Sequence, residues 1–317
     1  MACGVRDVRW LAVLLVSLWL GVAAPAAAGS AAGADAGTAA GTVRLTAGLA
    51  QASLSGHLGR LVDPGGALTL EDAVAADAAG AFQPLPTFVG AGHTADVHWY
   101  RVLLEREPGA PAEWVVELGE AYIDHIDLFV VDPAAADGRP GEGRDIVRFA
   151  LGDHVPFSRR PMGTRLHSVL LSLPEGRPVT VYLRVETISA MMLSGRVWAP
   201  AAFIGHETSA LLLHGLFFGV LAVLILLYLA LATALEDGTL VAYAGFVATL
   251  FFYYLGANGI AAVWLPDLPG WALNLLTGGN GLLGVSAAIV MWDRILNLRQ
   301  TFPRVHRVYM VLAVLGC

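Results

Sequence analysis

Three long apolar runs in the second half of the chain restrict its fold more than any other feature. They cover about residues 209–232, 240–258 and 271–292. Each is close to the roughly 20 residues a helix needs to cross about 30 Å of hydrocarbon. Backbone groups in lipid must be satisfied within their own segment, so each run is expected as a helix. The connections are short: "LEDGT" at 235–239 and "GIAAVWLPDLPG" at 259–270. With 56% of residues hydrophobic and 14% charged, the composition fits membrane spans. A fourth apolar run opens at Val308 and reaches Cys317. Its length corresponds to about 15 Å of helix. Half a span would leave its last carbonyls unsatisfied in lipid, so the reading frame is expected to continue.

Charge sets the expected orientation. Arg294, Arg299, Arg304 and Arg307 cluster between the third and fourth runs, which makes that loop cytoplasmic by the positive-inside rule. Counting back, the 235–239 loop is also cytoplasmic and everything before residue 209 is outside. The N-terminus gives the same answer independently. Arg6 and Arg9 precede a short apolar stretch at 10–22, and Ala26, Ala27 and Ala28 supply a small-residue cleavage site. Residues 1–28 are therefore expected as a signal peptide, with an uncleaved anchor helix as the alternative. Residues 29–42 are nearly all Ala, Gly and Ser, and read as a linker.

Residues 43–200 carry strand patterns separated by turn chemistry. "HWYRVLLE" (98–105) alternates, placing Trp99, Arg101 and Leu103 on one face and Tyr100, Val102 and Leu104 on the other. Further strands are expected at 113–120, 122–132, 167–173 and 179–187, with loops such as "REPGAP", "DPAAADGRPGEGRD" and "LPEGRP" between them. A short helix is expected at "TLEDAVAA" (69–76), with Thr69 as N-cap and Asp72 three residues on as a weaker stand-in for the capping-box Glu. The fold class is thus an all-β jelly-roll or sandwich domain at 43–200, followed by an α-helical multi-span membrane domain at 206–317.

The sequence carries little catalytic chemistry. It has no GxSxG, HExxH or P-loop. The only cysteines are Cys3 and Cys317, so neither a disulfide framework nor a CxxC metal site is available. No catalytic residue, metal or cofactor is expected. A net charge of −7 argues against nucleic acid as a partner. Asp124 and Asp127 flank His125 and raise the question of a metal, but Asp124 and His125 would point to opposite faces of a strand. The favoured reading is a solvated strand edge, and His93 and His98 weigh no more. Aromatic residues are the better hint. Trp99, Trp114 and Tyr122 are candidates for stacking on a sugar or other small ligand, and Arg101 and Arg184 for binding a carboxylate. Against this, Trp99 and Trp114 also fit a sandwich core.

Within the spans, Gly215 and Gly219 form a GxxxG pair, and Gly281 and Gly284 lie in "GGNGLLG". These glycines are candidates for helix packing, either within the chain or between two copies in a homodimer. His214 is expected at the outer membrane interface, and Asn274 and Asn280 as hydrogen-bond partners of neighbouring helices.

Several segments together resemble the bacterial seven-transmembrane receptors with diverse intracellular signalling modules, with the type 2 extracellular domain. These are "GRLVDPGGALTLEDAVAA" (59–76), "HTADVHWYRVLLE" (93–105), "IDHIDLFVVD" (123–132) and "VYLRVETISA" (181–190), then "HGLFFGVLAVLILLYLAL" (214–231) and "LVAYAGFVATLFFYYLGANG" (240–259). The resemblance implies a periplasmic jelly-roll sensor for a small ligand such as a carbohydrate, held in the bacterial inner membrane. It also implies signalling through the helices to a cytoplasmic output domain, such as a diguanylate cyclase, histidine kinase or phosphatase, beyond residue 317. The implied partners are a small molecule and the lipid bilayer. The residues present are then not an enzyme. The alternative is a transporter or channel component with a substrate-capturing outer domain. That reading requires polar groups around a midplane cavity, and the three complete runs offer only His214, Asn274 and Asn280.

Overall fold

A computed structural model describes residues 41–85, 90–132, 145–266 and 268–315. The expected signal peptide, nearly all of the linker, Cys3, Cys317 and the turn-rich segment 133–144 lie outside the described residues.

The first half is a sandwich of two sheets. The larger runs β4 (Gln83–Pro84), β3 (Gly59–Asp63), β6 (Val97–Arg106), β11 (Pro178–Glu186), β8 (His125–Asp132), β9 (Asp145–Leu151). β1 (Thr42–Leu45) pairs in parallel with the far half of β6, beyond the stretch that β3 occupies. The smaller sheet runs β10 (His167–Ser172), β7 (Glu113–Leu118), β13 (Gly195–Trp198), β2 (Gln51–Ser53). β5 (Gly90–His93) and β12 (Ala190–Met192) form a separate ribbon. Apart from β1 with β6, these strands pair antiparallel.

The alternation in β6 is observed as expected. Tyr100, Val102 and Leu104 point into the main core, where they meet Ile126 and Leu128 of β8, Val181 and Leu183 of β11, and Trp114, Val116 and Leu118 of the facing sheet. Trp99 points the other way, into a second apolar cluster with Val97, Tyr182, Ala73 and Phe82. That cluster lies beneath α1 (Leu70–Ala78), the helix expected from "TLEDAVAA". Its capping box is complete: the Asp72 amide donates to Thr69 Oγ1, and the Thr69 amide donates to Asp72 Oδ2. At the other end of α1, Asp77 accepts from Arg101 Nε at 3.0 Å and from Tyr182 Oη at 2.8 Å. The helix is therefore fixed to the outer face of the large sheet by polar bonds as well as apolar packing.

The second half is helical. α2 (Pro200–Leu235) and α3 (Gly238–Ala257) are followed by the short α4 (Ile260–Trp264), and then by α5 (Gly270–Ile295), which contains a π turn at Leu275–Gly279. α6 (Leu298–Thr301) and α7 (Pro303–Leu315) complete the described chain. α2, α3 and α5 are long and apolar enough to cross a membrane. α2 exposes Leu212, Leu213, Leu216, Val220, Val223 and Leu226, as expected of a span facing lipid rather than water.

Two boundaries that bear on the site differ from the sequence reading. α2 begins at Pro200 rather than near residue 209, because Pro200 suits the first helical position and nothing between it and Ser209 breaks a helix. His214 therefore has further helix on its N-terminal side. Its ring meets the Ala210 carbonyl of its own helix and stacks on Phe218. The strand expected at 122–132 starts only at His125, so residues 122–124 are loop.

Candidate functional site

Three side-chain clasps join the sandwich to the helices. The first involves α2 directly. Glu207, in its first turns, accepts from the Arg165 backbone amide at 3.1 Å and pairs with the Arg165 guanidinium at 3.3 Å. The second is centred on Glu117 of β7, whose carboxylate accepts from Trp198 Nε1 at 3.0 Å. His206 of α2 stacks on Trp198, with centroids 4.4 Å apart. Both carboxylates are largely buried, where an ion pair gains strength only if its hydrogen bonds are satisfied.

The third clasp reaches α5 and collects residues from three strand ends. Asp124 precedes β8, Asp153 and His154 follow β9, and Thr187 and Ile188 follow β11. Asp124 Oδ2 accepts from Thr187 Oγ1 and from the Ile188 amide, both at 2.7 Å. Its other oxygen, Oδ1, faces Asn274 Nδ2 and His154 Nε2, both at 3.1 Å. Asp153 Oδ1 lies 3.9 Å from the same His154 nitrogen and has no hydrogen-bond partner. The backbone is shaped for this approach: Gly152 has φ +118°, and a Cβ there would overlap the Asp124 carbonyl. Gly270, at the start of α5, lies against the His154 ring, where a Cβ would also collide.

Burial and neighbouring charge set the electrostatics of the third clasp. Burial alone would raise the Asp124 carboxyl. The bonds from Thr187, Ile188 and Asn274, with His154 nearby, outweigh it and hold the group below its ordinary value. Burial pushes Asp153 up to about 7, and the negative charge of Asp124 adds to this while Arg160 opposes it. Ligand-type atoms of Asp124, Asp153 and His154 all lie within 4.8 Å of one another. Next to them a cavity of about 10 Å³ is lined by Tyr122, Asp153, Arg160, Gly259, Leu273 and Thr277 among others. That is about room for one water molecule.

The five residues expected to contact ligand do not converge. Trp99 is 1% exposed beneath α1 and Trp114 is wholly buried in the opposite sheet, so both are core residues. Arg101 is engaged by Asp77. Tyr122 is half-buried at the helix end of the sandwich, where burial and then Glu120 raise its hydroxyl to about 12. Arg184 alone lines an open groove, of about 360 Å³, on the outer face of the large sheet, with His125, Asp127, Arg148, Val155 and Glu186. Its guanidinium pairs with Glu186, and Arg148 pairs with Asp127. Asp124 is buried rather than at a solvated edge, because residues 122–124 fold beneath the helices; His125 beside it is exposed.

The glycines divide. Gly281 and Gly284 pack against Tyr253 and Thr249 of α3, whereas Gly215 and Gly219 have nothing beside them. Asn280 donates to the Thr249 carbonyl at 2.6 Å, joining α5 to α3 as expected. Asn274 instead reaches across to the sandwich, where no neighbouring helix is involved. Arg294, Arg299, Arg304 and Arg307 are exposed. Arg294 lies next to Gly238, so the α2–α3 turn and the end of α5 share the bundle end remote from Asn274. Asp153, His154, Thr187 and Glu207 were not foreseen. The only sequence signal they gave was "GDH" directly after an apolar stretch.

An outer domain clasped side chain to side chain onto helices of spanning length is the build of a membrane receptor. Residues 55–199 match 7TMR-DISM extracellular 2, and residues 210–317 match 7TM diverse intracellular signalling. The chain belongs to this 7TM-DISM receptor family. It is a membrane sensory receptor with an outward-facing N-terminal domain, and the matched domains are sensory rather than catalytic. No curated protein matches the chain.

Proposed function

We propose that the outer domain binds a small polar ligand, a carbohydrate or a carboxylate-bearing molecule, in the groove walled by Arg148 and Arg184. Binding is relayed through the third clasp to α5, and from there across the bacterial inner membrane to a cytoplasmic output module. One observation supports this most. The three strands that line the groove, β8, β9 and β11, end in the residues that build the clasp: Asp124, Asp153 with His154, and Thr187 with Ile188. A ligand that draws Arg184 from Glu186 acts one to three residues from Thr187, and one that draws Arg148 from Asp127 acts three residues from Asp124 and five from Asp153. The next bond is to the membrane helix. Coupling of this kind needs a ligand whose affinity differs between two states of the junction.

The test uses the chain in lipid nanodiscs, titrated with neutral and acidic sugars and with small carboxylates by calorimetry. The expected result is a ligand whose affinity falls about tenfold or more in Arg184→Ala and in Arg148→Ala, as for lost charge-assisted bonds. The same ligand should change hydrogen exchange at 152–156 and 270–277. A ligand that binds equally well to both variants, or that leaves both segments unaltered, would sink the proposal.

A further inference from the structure

The third clasp holds more ligand-type atoms than its hydrogen bonds use. Asp124 and Asp153 are 3% and 4% exposed, so two carboxylates are buried within reach of one imidazole. Asp124 spends Oδ2 on Thr187 and Ile188, which orients Oδ1 toward His154. Asp153 Oδ1 points at the same nitrogen from 3.9 Å with no hydrogen-bond partner. A buried carboxylate oxygen without a donor is costly, and ordinarily a donor or a cation accounts for it. Asn274 Oδ1 is likewise buried without a partner, while its Nδ2 lies 3.1 Å from Asp124 Oδ1. A half-turn of the amide exchanges its two ends and presents Oδ1 to the cluster.

We propose that this junction is a divalent-cation site of the zinc class, formed by Asp124 Oδ1, Asp153 Oδ1 and His154 Nε2, with Asn274 Oδ1 as the ligand from α5. Zinc bonds of about 2.0–2.1 Å in a tetrahedron place ligand atoms ~3.3 Å apart. The observed separations from His154 Nε2, 3.1 Å and 3.9 Å, bracket that spacing. One imidazole with oxygen donors suits zinc better than calcium or magnesium, which prefer oxygen alone. Thr187 and the Ile188 amide supply the outer hydrogen bonds that hold a ligating carboxylate in place. The His154 side chain is 37% exposed and gives an ion a way in. Bound there, the cation fastens the ends of three sensor strands to a membrane helix, and so sets how firmly the outer domain grips α5. The site does not depend on the groove or on its ligand.

The test takes the 317-residue chain in nanodiscs, stripped with a chelator, and titrates zinc by calorimetry with metal analysis. One ion per chain is expected. Asp153→Asn and His154→Gln should each weaken binding about tenfold or more, and Asn274→Ala severalfold, as lost ligands do. His93→Gln, an exposed histidine on β5, should bind like the parent. Cobalt should give visible absorption bands with the parent chain and lose them in Asp153→Asn and His154→Gln. Zinc should also raise the melting temperature of the parent and not of His154→Gln, which keeps a readout if Asp153→Asn folds poorly. Substoichiometric zinc, or equal binding in Asp153→Asn and His154→Gln, would overturn the proposal. Calcium binding with no response to zinc would overturn the zinc assignment. Failure of sugar binding would leave these readings unmoved.

Discussion

His167 shows how much a single buried side chain determines. It is fully buried at the start of β10, and burial pushes its pKa down to about 3, with the Arg160 charge adding and the Ala121 backbone opposing. The folded chain therefore keeps a neutral imidazole while the unfolded chain takes up a proton below about 6.5. Between these two values the unfolded state binds more protons, so stability falls as pH falls, by up to about 1.4 kcal/mol per pH unit from this site. His167→Leu should flatten that slope between pH 6 and 4, read from thermal melts of both proteins at matched pH. A parallel loss of stability in both would remove His167 as the cause. Gly152 is the backbone counterpart. With φ +118° and the Asp124 carbonyl where its Cβ would stand, Gly152→Ala should cost well above the ~1 kcal/mol typical of a strained glycine replacement. A melting temperature within error of the parent would contradict this.

At the scale of elements, α1 was legible in the sequence because its signals are local. Thr69 and Asp72 are three residues apart and close the box on each other. Thr69→Ala should cost about 1 kcal/mol. Because α1 roofs Trp99, the substitution should also make that indole more quenchable by iodide. Unchanged quenching with lowered stability would mean that the apolar packing and the Asp77 bonds hold α1 in place without its cap. The strands over 97–106 and 178–186 were legible for the same reason, a period of two over enough residues. β2, β4 and β12 are two or three residues long and carry no readable period. The helical spans were legible from hydropathy, but the behaviour of their glycines was not. Gly256 is as plain in sequence as Gly219, yet a Cβ on Gly256 would come within 3.0 Å of Leu276 and Thr277, and one on Gly219 would meet nothing. Gly219→Ala should therefore shift stability by no more than about 0.5 kcal/mol, while Gly256→Val should separate α3 from the π turn of α5 and lower the melting temperature clearly. Equal effects would mean that the α3–α5 contact is looser than the structure shows.

The whole molecule depends on contacts that join distant parts of the chain, and these were the least legible. Asn274 reads in sequence as a polar residue needing a partner in the membrane. Its partner, Asp124, is 150 residues away in a different domain. Arg165 and Glu207 pose the same difficulty, separated by 42 residues and by the boundary between sheet and helix. This second pair tests whether the junction is one mechanical unit. The guanidinium and carboxylate are 11% and 12% exposed, so removing one charge leaves the other poorly solvated. Arg165→Gln and Glu207→Gln should therefore each be costly, of order 3 kcal/mol, since each strands the opposite charge while the bond from the Arg165 backbone amide can persist in both. In the double variant Arg165→Gln/Glu207→Gln neither charge is stranded, so the cost should fall below the sum of the two single changes. The informative readout is distance. If the clasps act together, loosening the root of α2 in Arg165→Gln should also raise hydrogen exchange at residues 270–277 of α5, which that pair never touches. If exchange rises only around residues 200–210, the clasps are independent. A signal from the outer domain would then have two separate routes into the membrane, through α2 at Glu207 and through α5 by way of Asp124 and Asn274.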